Sequence, residues 1–200
     1  MATGADVEEE VEERKLPRRL SVLVPALVLL GLLVYGTFTR ADPEPMGGRS
    51  VPEFELPLLD GGTLSNEDLE GKPVVMNFWA SWCAPCREEA PMLEELWQEH
   101  RDQVLFLGVN IKDNEVGAEA FVEDFDITYP VVLDPRESLG GELDVFGLPQ
   151  TFFIDHEGRF LGDPAAEATG EERDTAVFGA ITETTLREKL GELIRRAESG

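Results

Sequence analysis

Two cysteines, Cys83 and Cys86, are the only cysteines of the chain, and they stand between an apolar run and a helical pattern. The run Val74–Phe78 predicts a buried strand, and Arg87–His100 predicts a helix. The pair therefore follows a strand and a sharp turn, with both thiols on the first helical turn. Because the N-terminus of a helix has unpaired N–H groups and a partial positive charge, we expect the first thiol to have a lowered pKa.

Two other interpretations of this pair are less favoured. A structural disulfide that closes so short a loop gains little stability, because the loop-closure entropy is small. A zinc site needs two more ligands, and the only histidines, His100 and His156, have no neighbours at ligand spacing. The pair is therefore predicted to be a redox-active disulfide, and no metal site is predicted.

The first forty residues predict a membrane anchor. Residues 1–19 form an acidic tail that ends in four cations, and Leu20–Thr39 contains no charge. As a helix this run crosses roughly 30 Å of hydrocarbon. Since basic residues stay inside, the N-terminus is predicted to be cytoplasmic and the rest extracytoplasmic, on the periplasmic side. A cleaved signal peptide and a buried core helix are the alternatives; no small-residue cleavage site precedes Arg40, and the run lacks an amphipathic period.

The charge of the chain excludes one class of partner. The net charge is −24, from 41 acidic and 17 basic residues, and the excess lies almost entirely after residue 40. Nucleic-acid binding is excluded, because phosphate contacts need a basic face. The same field repels acidic partners and favours basic ones. An acidic surface is also a common adaptation to salt or for solubility, and the sequence leaves these two interpretations open.

The order of elements predicts the class of fold. Residues 40–50 are a Pro/Gly-rich linker, and 51–198 form the folded domain. The turn Asp60–Gly62 between two apolar stretches predicts an N-terminal β-hairpin. After the motif helix, strands are predicted at 104–109, 129–133 and 151–155, with an edge strand at 177–181. Strands and helices alternate before a strand pair and a closing helix, which predicts an α/β fold with a central mixed sheet flanked by helices.

Four stretches carry a resemblance to a known family. They are Val51–Pro57, Val75–Pro91 around the cysteines, Gly108–Asp113 and Phe146–Asp155. On these stretches residues 51–197 resemble the thioredoxin fold. More narrowly, they are similar to the membrane-anchored thiol–disulfide oxidoreductases of the TlpA/ResA/CcmG (DsbE) group. The resemblance implies no cofactor, because the dithiol itself is the redox group.

The resemblance assigns a role to each residue of the motif. It implies that Cys83 is an exposed nucleophile that attacks a substrate disulfide, and that Cys86 is the resolving thiol. Pro149 matches the family's cis-proline beside the cysteines, which leaves the backbone of Leu148 free to pair with an extended substrate. Trp82, Ala84 and Pro85 surround the site, and we expect Trp82, like Trp79, to pack around it rather than to take part in chemistry.

The role of Glu89 depends on the resemblance. From the residues alone, Glu89 is interpreted as a solvated helix charge beside Glu88. The resemblance instead implies an acidic residue on the helix face of Cys86, which accepts the proton of that thiol and raises its pKa.

Two positions differ from the residues that related families have there. Asn77 replaces the buried aspartate of ordinary thioredoxins, as in the anchored group, and Gln150 stands where cytochrome-maturation proteins often have glutamate.

The implied function is the reduction of protein disulfides during cytochrome c maturation. The implied client is the Cys-x-x-Cys-His site of apocytochrome c, and the implied electron donor is a membrane thiol reductase. An oxidase or isomerase of secreted proteins is the enzymatic alternative. A peroxidase is less favoured because Ala80 stands where peroxiredoxins have Thr or Ser. In a different class, Cys83 and Cys86 as soft ligands would make the chain a copper carrier for cytochrome oxidase.

Overall fold

The computed structural model describes residues 28–31, 47–162 and 175–199, and residues 28–31 are a short stretch of helix. The predicted tail, nearly all of the predicted anchor and linker residues 40–46 lie outside these ranges. None of the described helices is both long enough and apolar enough to cross a membrane. The rest of this description concerns the unit Pro45–Gly200, which contains the predicted domain.

The described elements of this unit alternate as the sequence predicts. In chain order the strands are β1 Glu55–Pro57, β2 Thr63–Ser65, β3 Val74–Trp79, β4 Leu105–Ile111, β5 Val131–Asp134, β6 Gln150–Ile154 and β7 Ala176–Phe178. The α-helices are α1 Ala84–His100, α2 Glu115–Asp124, α3 Ser138–Glu142 and α4 Glu183–Ser199. A 3₁₀ helix, Asn66–Leu69, follows β2. Each predicted strand after the motif is present, with ends displaced by up to three residues.

The central sheet is mixed, as predicted. Its described strands lie in the order β5-β4-β3-β6-β7. Strands β3, β4 and β5 are parallel to one another, β6 is antiparallel to its neighbour β3, and β7 is antiparallel to β6. Strand β3 lies at the centre, and all six of its residues are buried, as expected for a strand covered on both faces. Strands β1 and β2 form the predicted antiparallel hairpin.

Two apolar layers cover the sheet, and alternate residues of β3 enter different layers. Val75 and Trp79 belong to the layer that contains the buried faces of α1 and α4. Val74, Met76 and Phe78 belong to the other layer, with the hairpin and α3. This alternation follows from the two-residue repeat of a strand. The sheet thereby places the C-terminal end of β3, and the cysteine motif that follows it, at one edge of the core.

Gly108 makes room for Trp79 in the apolar layer that contains the buried faces of α1 and α4. A Cβ at Gly108 would lie 2.9 Å from Trp79 Nε1 and 3.2 Å from atoms of Tyr129 and Val131. We therefore expect Gly108→Ala to lower the free energy of unfolding by about 1–3 kcal/mol, because the crowded side chains must shift. Urea unfolding measures this change.

The matched control is Gly141→Ala in α3, where a Cβ would meet no atom within 4 Å. There we expect unchanged or slightly higher stability, since alanine favours a helix. A Gly108→Ala protein as stable as the parent chain would show that the layer is not close-packed around Trp79.

Candidate active site

The cysteine pair forms a disulfide at the N-terminus of α1. Cys83 and Cys86 are joined by an S–S bond of 2.02 Å. Cys83 is the N-cap residue, and its Sγ accepts a hydrogen bond from the backbone N–H of Cys86 at 3.3 Å. Pro85 fits in the first turn because an N–H there has no partner within the helix. The first sulfur therefore lies where free N–H groups and the helix dipole favour negative charge.

The exposure of the disulfide differs from the prediction. Cys83 was expected to be exposed, but its exposed fraction is 4%, against 1% for Cys86. The expectation is wrong for this disulfide form, because both half-cystines pack into the apolar layer with α1 and β3. Cys83 remains the more accessible of the two, so the order of accessibility agrees with the resemblance.

The loop before β6 lies beside the end of β3. The peptide bond between Leu148 and Pro149 is cis, as the resemblance implies. Gln150, the next residue, pairs with Phe78 in the β3–β6 ladder. Leu148 is half-buried and packs against the apolar layer that contains both cysteines. The topology therefore places Pro149 at the same edge of the sheet as the turn that leads to Cys83.

Three residues around the disulfide, Trp82, Ala84 and Pro85, are exposed or half-buried and have different environments. The indole of Trp82 is 61% exposed, and its Nε1 donates a hydrogen bond to the carbonyl oxygen of Lys112 at 2.8 Å. Trp82 therefore lies on the surface of the site, whereas Trp79 is buried and stacks on Phe121. Ala84 is exposed and Pro85 is half-buried.

A network of buried hydrogen bonds is centred on Glu89 of α1 and Asn77 of β3. Asn77 Nδ2 donates to Glu89 Oε1 at 2.9 Å and to Thr151 Oγ1 at 3.0 Å. Glu89 Oε2 accepts the backbone N–H of Ile181 at 2.8 Å. One carboxylate thus joins α1 to β3 and to the segment before α4. In the same region the buried Gln150 Oε1 has no hydrogen-bond partner among the described residues.

The interpretation of Glu89 as a solvated charge is wrong, because only 4% of the residue is exposed. The buried residues of α1 are Cys86, Glu89, Ala90, Leu93 and Leu96. Their spacing of three and four is that of one helix face, so Glu89 lies on the apolar stripe. This position is the signal in the sequence that separates Glu89 from Glu88, which points to solvent.

Burial raises the pKa of Glu89 to about 7, and the hydrogen bonds from Ile181 and Asn77 lower it by a smaller amount. A buried carboxylate lacks the hydration that stabilises its charge in water, so the neutral form is favoured. Glu89 therefore takes up and releases a proton near neutral pH. A group with this pKa is suited to general acid–base work.

The raised pKa predicts a specific pH dependence of stability. The carboxyl of Glu89 has an ordinary pKa of 4.5 and a pKa of about 7 in the folded chain. Between these two pH values the folded chain therefore keeps a proton on Glu89 that the unfolded chain has lost. The resulting contribution, about 3 kcal/mol, is complete below pH 4.5 and is lost as the pH rises to 7. We expect Glu89→Gln to lack this fall, as measured by urea unfolding at several pH values.

Glu88→Gln is the control for that series, since it removes a neighbouring carboxylate that is exposed. The control is expected to keep the pH dependence of the parent chain. If Glu89→Gln and the parent chain lose stability equally between pH 5 and pH 8, the carboxyl of Glu89 does not titrate in this range.

The chain resembles several known proteins. A profile of the AhpC/TSA family matches residues 48–160. The thiol-disulfide oxidoreductase ResA of Geobacillus thermodenitrificans is 34% identical over 149 residues, which cover 74% of this chain and 86% of the relative. ResA of Bacillus subtilis is 30% identical over 189 residues, covering 94% and 98%. A thiol:disulfide interchange protein from Chlorobium tepidum, a thioredoxin family protein of solved structure, matches with a TM-score of 0.60 at 23% identity, covering 77% and 99%.

Proposed function

Since the chain belongs to the AhpC/TSA family of thioredoxin-like proteins and is a thiol–disulfide oxidoreductase of the ResA type, we propose that it reduces disulfides of extracytoplasmic proteins. The client that we propose is the Cys-x-x-Cys-His site of apocytochrome c, which must be reduced before haem attachment. The observation that carries the proposal is the disulfide at the N-terminus of α1, at the same sheet edge as Pro149.

The proposed reaction transfers two electrons from this chain to the client. In the reduced chain, Cys83 is the thiolate that attacks one sulfur of the client disulfide, which breaks that bond and forms a mixed disulfide. The departing client sulfur takes up a proton. Cys86 then loses its proton and attacks Cys83 Sγ, so that the second client sulfur leaves as a thiolate and takes up a proton, and the Cys83–Cys86 disulfide forms. The client ends as a dithiol.

Glu89 is proposed to accept the proton that Cys86 loses. Glu89 is three residues after Cys86, so both lie on the buried face of α1. Its pKa of about 7 makes the carboxylate available at neutral pH. A negative charge on Glu89 also opposes ionisation of a neighbouring buried thiol. This effect keeps Cys86 protonated until the mixed disulfide has formed.

The neighbours of the disulfide are proposed to bind the client. The backbone of Leu148, before Pro149, pairs with an extended client segment, as in the addition of a strand. Trp82, Ala84 and Pro85 form the surroundings of the reacting sulfur. The exposed indole of Trp82 lies next to Cys83 and offers an apolar surface to the client.

The proposed location follows from the N-terminal segment. Leu20–Thr39 anchors the chain in the cytoplasmic membrane, residues 1–19 lie in the cytoplasm, and the domain 51–198 lies outside, beyond the linker 40–50. Because thiols become oxidised in that compartment, the proposed reductant needs an electron donor. We assign this role to a membrane thiol reductase, which reduces the Cys83–Cys86 disulfide after each turnover.

A direct experiment mixes the reduced full-length chain with an oxidised peptide that contains Cys-x-x-Cys-His. The account expects one peptide disulfide to be reduced for each Cys83–Cys86 disulfide that forms, as counted by mass spectrometry after alkylation. A second mixture contains the oxidised chain and the reduced peptide; oxidation of the peptide there, with no reduction in the first mixture, would replace the proposal by the oxidase alternative. In a separate Cu(I) titration of the reduced chain, binding of one Cu(I) per chain, with no peptide reduction in the first mixture, would favour the copper carrier.

A further inference from the structure

The turn between β3 and the disulfide is held by polar contacts with the loop after β4. Asp113 Oδ2 accepts hydrogen bonds from the backbone N–H of Ser81 and from Asn110 Nδ2, the latter at 3.0 Å. Asp113 Oδ1 accepts the Ser81 hydroxyl at 3.0 Å and the backbone N–H of Asn114 at 2.9 Å. One carboxylate thus accepts hydrogen bonds from both the backbone N–H and the hydroxyl of Ser81, which precedes Cys83 by two residues.

A second contact joins the same loop to the next residue of the turn. Lys112 has a φ of +53°, which is uncommon for a residue with a side chain. Its carbonyl oxygen accepts the indole N–H of Trp82 at 2.8 Å. Because the side chain of Trp82 is largely exposed, apolar burial does not hold it. Hydrogen bonds donated by Ser81 and Trp82 to Asp113 and Lys112 therefore hold the turn against the loop after β4.

We propose that Asp113 is a positioning residue of the redox site, which holds the turn 80–83 so that Cys83 Sγ stays at the N-cap of α1. The proposal rests on the proposed function, in which Cys83 reacts as a thiolate. Only at the N-cap does that sulfur meet the N–H of Cys86 and the positive end of the helix dipole. Movement of the turn removes this stabilisation and makes the thiol less acidic.

Asp113 is an ionised carboxylate when it holds the turn 80–83. Partial burial opposes ionisation, but the hydrogen bonds from Ser81, Asn110 and Asn114 outweigh it and hold the pKa of the carboxyl below its ordinary value. A carboxylate near a thiol also acts by charge alone, and that effect has the opposite sign. Repulsion disfavours the thiolate, so removal of the charge would make Cys83 more acidic. The direction of the change therefore separates positioning from repulsion.

The test measures how fast iodoacetamide alkylates Cys83 in the reduced full-length chain, as a function of pH. Asp113→Asn is expected to slow alkylation at pH 7 by about tenfold, which corresponds to a thiol pKa higher by about one unit. Ser81→Ala removes the hydroxyl contact and keeps the charge, and a smaller decrease is expected. Glu119→Gln is the control, because Glu119 is an exposed carboxylate of α2 that is not among the hydrogen-bond partners of the turn described above, and its rate is expected to stay unchanged.

Two results overturn the proposal. One is faster alkylation in Asp113→Asn, which would show that Asp113 acts on Cys83 by charge repulsion, or unchanged alkylation, which would show that it has no effect. The other is an unchanged rate in Ser81→Ala, and this result decides alone if Asp113→Asn does not fold. The assay uses no client, so the failure of the chain to reduce a Cys-x-x-Cys-His peptide refutes the proposed function and not the positioning role.

The tenfold loss of thiolate stabilisation expected for Asp113→Asn also makes the reduction potential of the Cys83–Cys86 pair more negative by about 30 mV.

Discussion

Cys83→Ser is expected to lower the rate of client reduction by at least about a thousandfold, the size of loss seen when an enzyme loses its nucleophile. The thiolate is the nucleophile of disulfide exchange, and a serine hydroxyl does not ionise at neutral pH. The chain has only one other cysteine, Cys86, with an exposed fraction of 1%, so no second thiol is placed to begin the reaction. Reduction of insulin or of the oxidised Cys-x-x-Cys-His peptide measures the rate.

Glu88→Gln is the control for this substitution, because it changes an exposed residue of the same helix. We expect it to retain the rate of the parent chain. A Cys83→Ser protein that keeps a tenth or more of the parent rate would contradict the role of Cys83 as the attacking thiol.

Cys86→Ser is expected to have a different effect, because it preserves the attack and removes the resolution. Cys83 remains at the N-cap of α1, where the helix N-terminus favours its thiolate. Cys86 is the nearest thiol that can release the client, so the mixed disulfide is expected to persist. Turnover falls to the background rate, while a covalent complex of one chain and one client accumulates.

Mass spectrometry of the intact complex without a reducing agent detects the mixed disulfide, and added dithiothreitol is expected to release the client. The same mixture with Cys83→Ser is the matched control and is expected to form no complex. A stable complex with Cys83→Ser and none with Cys86→Ser would reverse the assigned roles of the two thiols.

The order and type of the elements were predictable from the sequence because each depends on a local pattern. A continuous apolar run gave β3 at the centre of the sheet, and the change to helical spacing after Cys86 gave α1. The glycines after Asp60 gave the turn of the hairpin. The cis peptide bond at Pro149 came from the resemblance, since no local pattern distinguishes it from an ordinary turn proline.

The environment of the polar residues was not predictable in the same way, because it depends on distant parts of the chain. The position of Glu89 on the apolar stripe of α1 indicates that it is buried, but it does not indicate which group binds its carboxylate. The N–H that binds its carboxylate belongs to Ile181, 92 positions further along the chain. Asp113 and Ser81 are 32 positions apart and meet because β3 and β4 are parallel neighbours. The burial of Cys83 likewise arises from packing against the whole apolar layer.

The reduction potential of the Cys83–Cys86 pair in the full-length chain, measured by equilibration against a thiol buffer, tests the central claim most directly. The account predicts a value near that of thioredoxin, about −270 mV, as expected for a reductant that depends on an electron donor. A value near −120 mV, at the strongly oxidising end of the range, would contradict the account and identify the chain as an oxidase of secreted proteins.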